Sequence, residues 1–176
     1  MVKKISFVAL MATLPLSLFA AEATVDMYIA TDKGNGDKIG QVVISESDFG
    51  LVFTPNLKGV KTGVHGFHVH ANGDCGPSTA ADGKITPAGA AGGHVDPTKT
   101  KAHTGPDETT GHLGDLPAVY ADANGDVTYP VLAPKIKKLD EIKGKALMLH
   151  VGGDNHDDHP APLGGGGARM ACGIIK

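Results

Sequence analysis

Tryptophan is absent from the 176 residues and aromatic residues make up only 5%. A core must therefore be built from Val, Ile, Leu, Met and a few Phe. Cysteine is scarce as well: Cys75 and Cys172 are the only two, too few for a disulfide-framework miniprotein or a cysteine-based zinc module. Helical periodicity is missing; only Leu139 to Ile142 hints at a single turn, which excludes a bundle or coiled coil. No apolar run reaches the ~20 residues that a membrane-spanning helix needs. Positive charge is also lacking, with 16 Lys and Arg against 19 Asp and Glu and no block of like charges. Binding a phosphate backbone needs a basic surface, so nucleic acid is excluded as a partner.

The first residues stand apart. Lys3 and Lys4 precede an apolar run from Ile5 to Phe19, and Ala21-Glu22-Ala23 fits a small-residue cleavage site. This order reads as a secretory signal peptide over residues 1–23, with one mature domain over 24–176. Pro15 weakens the alternative of an uncleaved anchor. Removing two Lys and one Glu with the leader leaves 14 basic against 18 acidic residues. The expected location is the periplasm, free of the membrane once the leader is gone. In an oxidising compartment, two cysteines read as one disulfide.

What remains is strand-like. Residues 24–31 alternate, with Val25, Met27 and Ile29 on one face; Ile39 to Ile44 and Gly50 to Phe53 are β-branched or aromatic runs. Residues 64–71, 126–132, 145–151 and 168–175 alternate too. Asn35-Gly36 and Asn124-Gly125 sit where hairpin turns are wanted, and Pro130 implies an edge or a bulge. Many short strands with turn signals predict an all-β, antiparallel sandwich or barrel. Residues 72–119 and 152–167, the latter ending in Gly164 to Gly167, are two long interruptions. Loops of that length in a compact domain are functional or disordered. These hold most of the remaining histidines and Cys75, which favours order.

Nine histidines are the unusual abundance. In Phe67-His68-Val69-His70, residues two apart face the same way, so His68 and His70 project together while Phe67 and Val69 point to the core. His65 falls on the opposite face and reads as a hydrogen-bonded structural residue. His150 ends the apolar stretch Ala146 to Leu149 and can join the outward face. Three imidazoles on rigid strands suit copper, zinc or iron alike. The long loop adds His94, His103, His112 and Asp115. Three nitrogens and one carboxylate form a closed tetrahedral set of the kind that holds structural zinc, and such a site would fold a loop with few apolar residues to bury.

The segments Gly66-Phe67-His68-Val69-His70, Gly92-Gly93-His94-Val95-Asp96-Pro97, His112-Leu113-Gly114-Asp115-Leu116 and Gly167-Ala168-Arg169-Met170-Ala171-Cys172-Gly173 resemble the signature stretches of copper,zinc superoxide dismutases. The interval from Cys75 to His94 and the run from Pro162 through Gly167 resemble the bacterial, periplasmic branch. The resemblance implies a Greek-key barrel of about eight strands with two long functional loops, and one copper and one zinc per subunit. It implies copper on His68, His70, His94 and His150, and zinc on His94, His103, His112 and Asp115, with His94 as a shared imidazolate. Asp154 matches the aspartate that links a copper histidine to a zinc histidine, Arg169 the substrate-guiding arginine, and Cys75 with Cys172 the disulfide. The implied reaction turns superoxide into dioxygen and hydrogen peroxide by alternating Cu(II) and Cu(I), a defence against superoxide outside the cytoplasm. Because the mature chain is net negative, attraction of the anion must be local, to the metals, Arg169 and a lysine such as Lys84. The alternative is a non-catalytic periplasmic copper- and zinc-binding protein, which needs the ligands but not Arg169. The resemblance implies either a homodimer or a monomer, since the bacterial branch includes both, and the homodimer is preferred. His156 and His159 read as solvated loop residues rather than a further metal site.

Overall fold

The computed structural model describes residues 21–176. Of the signal-peptide reading of residues 1–23, residues 1–20 lie outside the described residues, and Glu22 and Ala23 open the first strand; among the described residues no helix is long and apolar enough to cross a membrane. The described chain is all-β with three short 3-10 turns and no α-helix.

Strands β1 (Glu22–Thr31), β2 (Gly34–Ser47) and β3 (Gly50–Leu57) form an antiparallel meander. β4 (Gly63–His65) and β5 (Phe67–His70) follow, then the two-residue strands β6 (Ser78–Thr79) and β7 (Ile85–Thr86). β8 (Val119–Ala121), β9 (Val131–Ala133), β10 (Ala146–His150) and β11 (Arg169–Ile174) complete the set. Seven of them make one curled sheet in the order β5-β10-β11-β1-β2-β3-β9, and β4 pairs with β8 and β6 with β7. Neighbours far apart in sequence, such as β5 beside β10 and β3 beside β9, are reached by the long returns that mark Greek-key chains.

Alternation builds the core. Val25, Met27, Val42, Ile44, Leu51, Phe53, Phe67, Val69, Leu147 and Leu149 are fully buried in one cluster. The rings of Phe53 and Phe67 meet edge to face at 5.8 Å between centroids, the geometry that aromatic quadrupoles favour. Ile29 is only partly buried, because its stretch of β1 lies beyond this cluster. Cys75 and Cys172 form a disulfide across 97 residues, packed with Ala88, Ala91, Ala146 and Met148 in a second buried cluster on the other face of the sheet.

Three expectations change. Asn35-Gly36 lies inside β2, and the turn falls on Asp32 and Lys33. There the Thr31 hydroxyl donates to Gly34 O at 2.7 Å and accepts from Lys33 N–H. Gly34 takes the positive φ of 111°, a conformation that glycine adopts at no steric cost. Residues 126–130 do not continue as a strand: Val127 makes one isolated bridge to Leu57, and regular pairing resumes only after Pro130, which has no N–H for a ladder. Val151, which the alternation of residues 145–151 places in a strand, lies past the end of β10 and is exposed.

Candidate metal centre

β5 aims the first two imidazoles. Phe67 and Val69 lock into the core, so His68 and His70 turn to the other side, where they too are buried. β10 pairs with β5 at Met148↔His68 and Ala146↔His70. His150, two residues on from Met148, shares its face, and after a register shift beyond Leu149 it pairs with Arg169 of β11. Along the other edge of β5 runs the long loop. Ala71 N–H donates to Gly93 O, Val95 N–H to Val69 O, and Val69 N–H to Gly114 O, at 2.8–2.9 Å. His94 thus lies opposite His70, and Asp115 opposite His68. Gly114 permits this approach: a Cβ there would stand 2.2 Å from Val69 O and 2.8 Å from Val95 N.

Two four-residue sets result, each with one donor atom per residue and all donors within 4.8 Å: His68, His70, His94 and His150, then His94, His103, His112 and Asp115. His94 belongs to both, and its ring lies 4.1 Å from that of His68 and 5.2 Å from that of His112. All the sequence-predicted ligand positions are brought together, and all are buried.

Outward hydrogen bonds fix the tautomers. His68 Nε2–H donates to Asp154 Oδ2 at 2.6 Å, and His103 Nε2–H to Asp154 Oδ1 at 2.8 Å. His70 Nδ1–H donates to Gly92 O at 2.8 Å, and His150 Nδ1–H to Gly167 O at 3.1 Å. A neutral imidazole with one N–H committed outward presents a lone pair on its other nitrogen. The inward lone pairs are therefore on His68 Nδ1, His70 Nε2 and His150 Nε2, whereas His103, with a carboxylate oxygen at each nitrogen, donates from both. His70 Nε2 and His150 Nε2 face each other at 3.4 Å, lone pair against lone pair. His68 Nδ1 and His94 Nε2 are buried without any partner. On the second side, Nδ1 of His94, His103 and His112 lie 2.8, 2.9 and 3.2 Å from Asp115 Oδ1. Buried acceptors without donors are costly, and a cation at each focus removes the cost. The donors are nitrogen on one side and nitrogen with one carboxylate on the other, so the residues fit copper and zinc.

The protonation pattern follows from burial. Desolvation pushes His68 down to about 3, His70 to about 2 and His150 to about 4, and lowers His94 as well. These rings stay unprotonated, as ligands must be. His103 goes the other way. Burial opposes its charge, but hydrogen bonds to Asp115 and Asp154 raise it to about 9. Burial would raise both carboxylates, yet histidine N–H groups hold Asp115 and Asp154 far below the usual range.

Around these sets, Arg169 reaches from β11 to donate Nη1–H to Ala88 O and Nη2–H to Gly92 O, the second at 2.6 Å. Its charge adds to burial in lowering His70 and His150. His65 points away from the cluster, with Nδ1 at His150 O, 2.8 Å, and Nε2 at Lys61 O, 2.6 Å, a structural residue as its parity predicts. Neither His156 nor His159 joins a converging set; the ring of His156 lies 6.4 Å from that of His103. Lys84 is exposed in the hairpin of β6 and β7. Sequence reasoning missed the part played by Lys135, whose Nζ–H donates to His112 O at 2.7 Å and Gly105 O at 3.3 Å.

Comparison with known proteins agrees with this geometry. Residues 38–175 match the family described as copper/zinc superoxide dismutase. A superoxide dismutase [Cu-Zn] of Brucella melitensis is 52% identical over 100% of both chains. The Cu/Zn superoxide dismutase structure from Brucella abortus superposes with a TM-score of 0.86 at 54% identity, covering 89% of this chain and 100% of its own. The solution structure of the monomeric copper, zinc superoxide dismutase from Salmonella enterica gives 0.80 at 55% identity, with the same coverage of each chain.

Proposed function

The chain belongs to the copper/zinc superoxide dismutase family and is an oxidoreductase that dismutates superoxide, and from that premise we propose which of its atoms perform the reaction. His68 Nδ1, His70 Nε2, His94 Nε2 and His150 Nε2 hold copper. Nδ1 of His94, His103 and His112 and a carboxylate oxygen of Asp115 hold zinc. The observation that carries this reading is the single ring of His94, with Nε2 unpartnered on one side and Nδ1 at Asp115 on the other.

Copper held by these nitrogens would supply a one-electron redox couple, and zinc, which has no redox chemistry, would not. The chain supplies the rest. Two superoxides and two protons become dioxygen and hydrogen peroxide, so a proton must reach the reduced oxygen. His94 Nε2, which has no hydrogen-bond partner in the protein, would carry that proton whenever it does not hold copper. Arg169 offers a fixed positive charge to the anion, its fork held by two loop carbonyls. Lys84 adds charge at the exposed hairpin. The non-catalytic alternative is not favoured, because storage needs neither Arg169 nor a shared ring.

The tests are metal content, the copper EPR signal and superoxide consumption of the purified protein. The reading predicts copper and zinc in equal amounts, an EPR spectrum of nitrogen-ligated copper, and turnover. Arg169→Ala should slow turnover most at low ionic strength. A fully loaded yet inactive wild type would overturn the assignment. We further propose that residues 1–23 are a cleaved signal and that the enzyme works in the periplasm, to be read from the N-terminus of the secreted protein. Homodimer formation is also proposed: Val64 and Tyr120, opposite each other on β4 and β8, are 52% and 47% exposed. A monomer mass in sedimentation would refute it.

A further inference from the structure

Every candidate ligand ring but one has an outward protein partner or serves both sets. His68 and His103 share Asp154, His70 has Gly92 O, and His150 has Gly167 O. His112 differs: its Nδ1 faces Asp115, and among the described residues no group bonds its Nε2. Apart from that contact within the set, the position of this ring is set by its backbone.

Gly114 of the following turn is tied to β5 through Val69 N–H, but His112 itself is held from outside the loop at one point, its carbonyl. His112 O accepts Asp115 N–H at 3.3 Å, closing a turn whose first and last residues, His112 and Asp115, are both candidate zinc ligands. The same carbonyl accepts Lys135 Nζ–H at 2.7 Å, and the ammonium also reaches Gly105 O at 3.3 Å. Lys135 starts from a rigid base. Ala133 pairs with Leu51 across β9 and β3, Ile136 is fully buried, and Ile136 O accepts Leu51 N–H at 2.9 Å. The ammonium is half-buried, and that burial pulls its pKa down against the attraction of Asp115, Asp107 and Glu108. Hydrogen bonds from a charged, partly desolvated donor are the strong ones.

We propose that Lys135 is a positioning residue for zinc, clamping the His112–Asp115 turn to the β3–β9 edge so that two of the four ligands meet the ion in register. The proposal rests on the zinc assignment above. Loss of such an outer partner typically weakens metal binding 10–100-fold.

The experiment uses the metal-loaded protein and three variants. Zinc retention against a chelator and the visible spectrum of cobalt placed in the zinc site are compared with copper retention. Lys135→Met keeps length and apolar stem but removes the donors, and should weaken zinc retention about 10–100-fold, with an altered cobalt spectrum and little change in copper retention. Lys135→Arg keeps the charge and donors and should recover most of it. Lys137→Met is the control: Lys137 lines the same cleft of about 420 Å³ as Lys135 but its Nζ donates only to Phe49 O, so it should match wild type. If Lys135→Met does not fold, Lys135→Gln, with one shorter donor arm, should show a smaller loss in the same direction. Wild-type zinc retention and cobalt spectrum in the folded Met or Gln variant, or an equal loss in Lys137→Met, overturn the clamp. A wild type that takes up neither zinc nor cobalt overturns the zinc assignment itself.

Discussion

Asp154 makes the most demanding prediction, because one carboxylate serves both candidate sites. Oδ2 accepts from His68 Nε2 at 2.6 Å, while Oδ1 accepts from His103 Nε2 at 2.8 Å and from the His156 backbone N–H at 2.7 Å. Its side chain is fully buried, so water cannot replace it cheaply. Asp154→Ala removes both acceptors, leaves two buried N–H groups unmatched, and frees the two rings to rotate or change tautomer. A buried donor without a partner costs about 1–3 kcal/mol, and that cost falls on each site separately. Binding of each metal should weaken about 5–150-fold. Asp154→Asn is more selective. Its one carbonyl oxygen can stay on the His103 and His156 side only if the amide N–H₂ meets His68 Nε2–H, donor against donor. One site is then spared and the other carries the full cost, and the amide orientation decides which. Chelator competition run separately for copper and zinc reads both constants, and copper EPR reads the His68 side independently. If Asp154→Ala weakens only one metal, the carboxylate is a local support and not a bridge; if it weakens neither, the tautomer argument fails with it.

Gly164→Ala should mimic the loss of Asp154. A Cβ there would stand 1.9 Å from Asp154 Oδ1 and 2.9 Å from His103 Nε2, at a φ of 68°; a cobalt spectrum identical to wild type would refute the clash. Replacing both Cys75 and Cys172 with Ala releases a constraint spanning 97 residues, for which the chain-entropy model gives roughly 4–5 kcal/mol as an upper figure. Urea unfolding should show a loss of about 2–5 kcal/mol, and a change under 1 kcal/mol would contradict it. The metal-free protein should be most stable near neutral pH. His68, His70 and His150 have folded values of about 3, 2 and 4, below the unfolded value near 6.5. The unfolded chain therefore binds more protons as pH falls below 6.5, and stability drops. His103, raised to about 9, contributes stability that is complete below 6.5 and lost as pH rises through 9. Denaturant midpoints of the chelated protein from pH 5 to 9.5 that rise steadily with pH would refute the His103 part.

Parity made much of the centre legible. Two-residue periodicity alone places His68 and His70 opposite Phe67 and Val69 and turns His65 away, and the structure agrees at each of these positions. Parity fails where the chain leaves regular pairing. The Asn35-Gly36 signal is locally sound, but register shifts between Met27 and Ala30 move the hairpin closure back to Asp32 and Lys33. Residues 126–130 alternate in sequence, yet Asp122 captures the local N–H groups. Its Oδ1 accepts from Asn124 N–H at 2.8 Å and Asp126 N–H at 2.9 Å, closing the turn that Asn124-Gly125 signals; beyond it only Val127 bridges, and Pro130 has no N–H for a ladder. Lys135 was invisible for another reason. Its partners lie 23 and 30 residues away and are backbone carbonyls, which any loop has, so no residue pattern marks it.

The long loop tests the idea that zinc folds a segment with little to bury. The idea holds for the side chains and not for the backbone. Leu116 is fully buried and Val95 nearly so, which gives the loop two apolar anchors on the main core. Its backbone bonds to both sides of Val69, as an extra strand would, and this covers the open edge of β5, a feature that proteins do not leave bare. Cys75 ties its start to β11. These restraints bring His94 and Asp115 to β5 without reference to any ion. Left to the ion are the ring angles of His103 and His112 and the balance of charge around Asp115, which now accepts from three imidazoles. Zinc's contribution should therefore concentrate in residues 103–113, the stretch before the loop pairs with β5 again at Gly114 and Asp115 and where Lys135 and Asp154 reach in from outside.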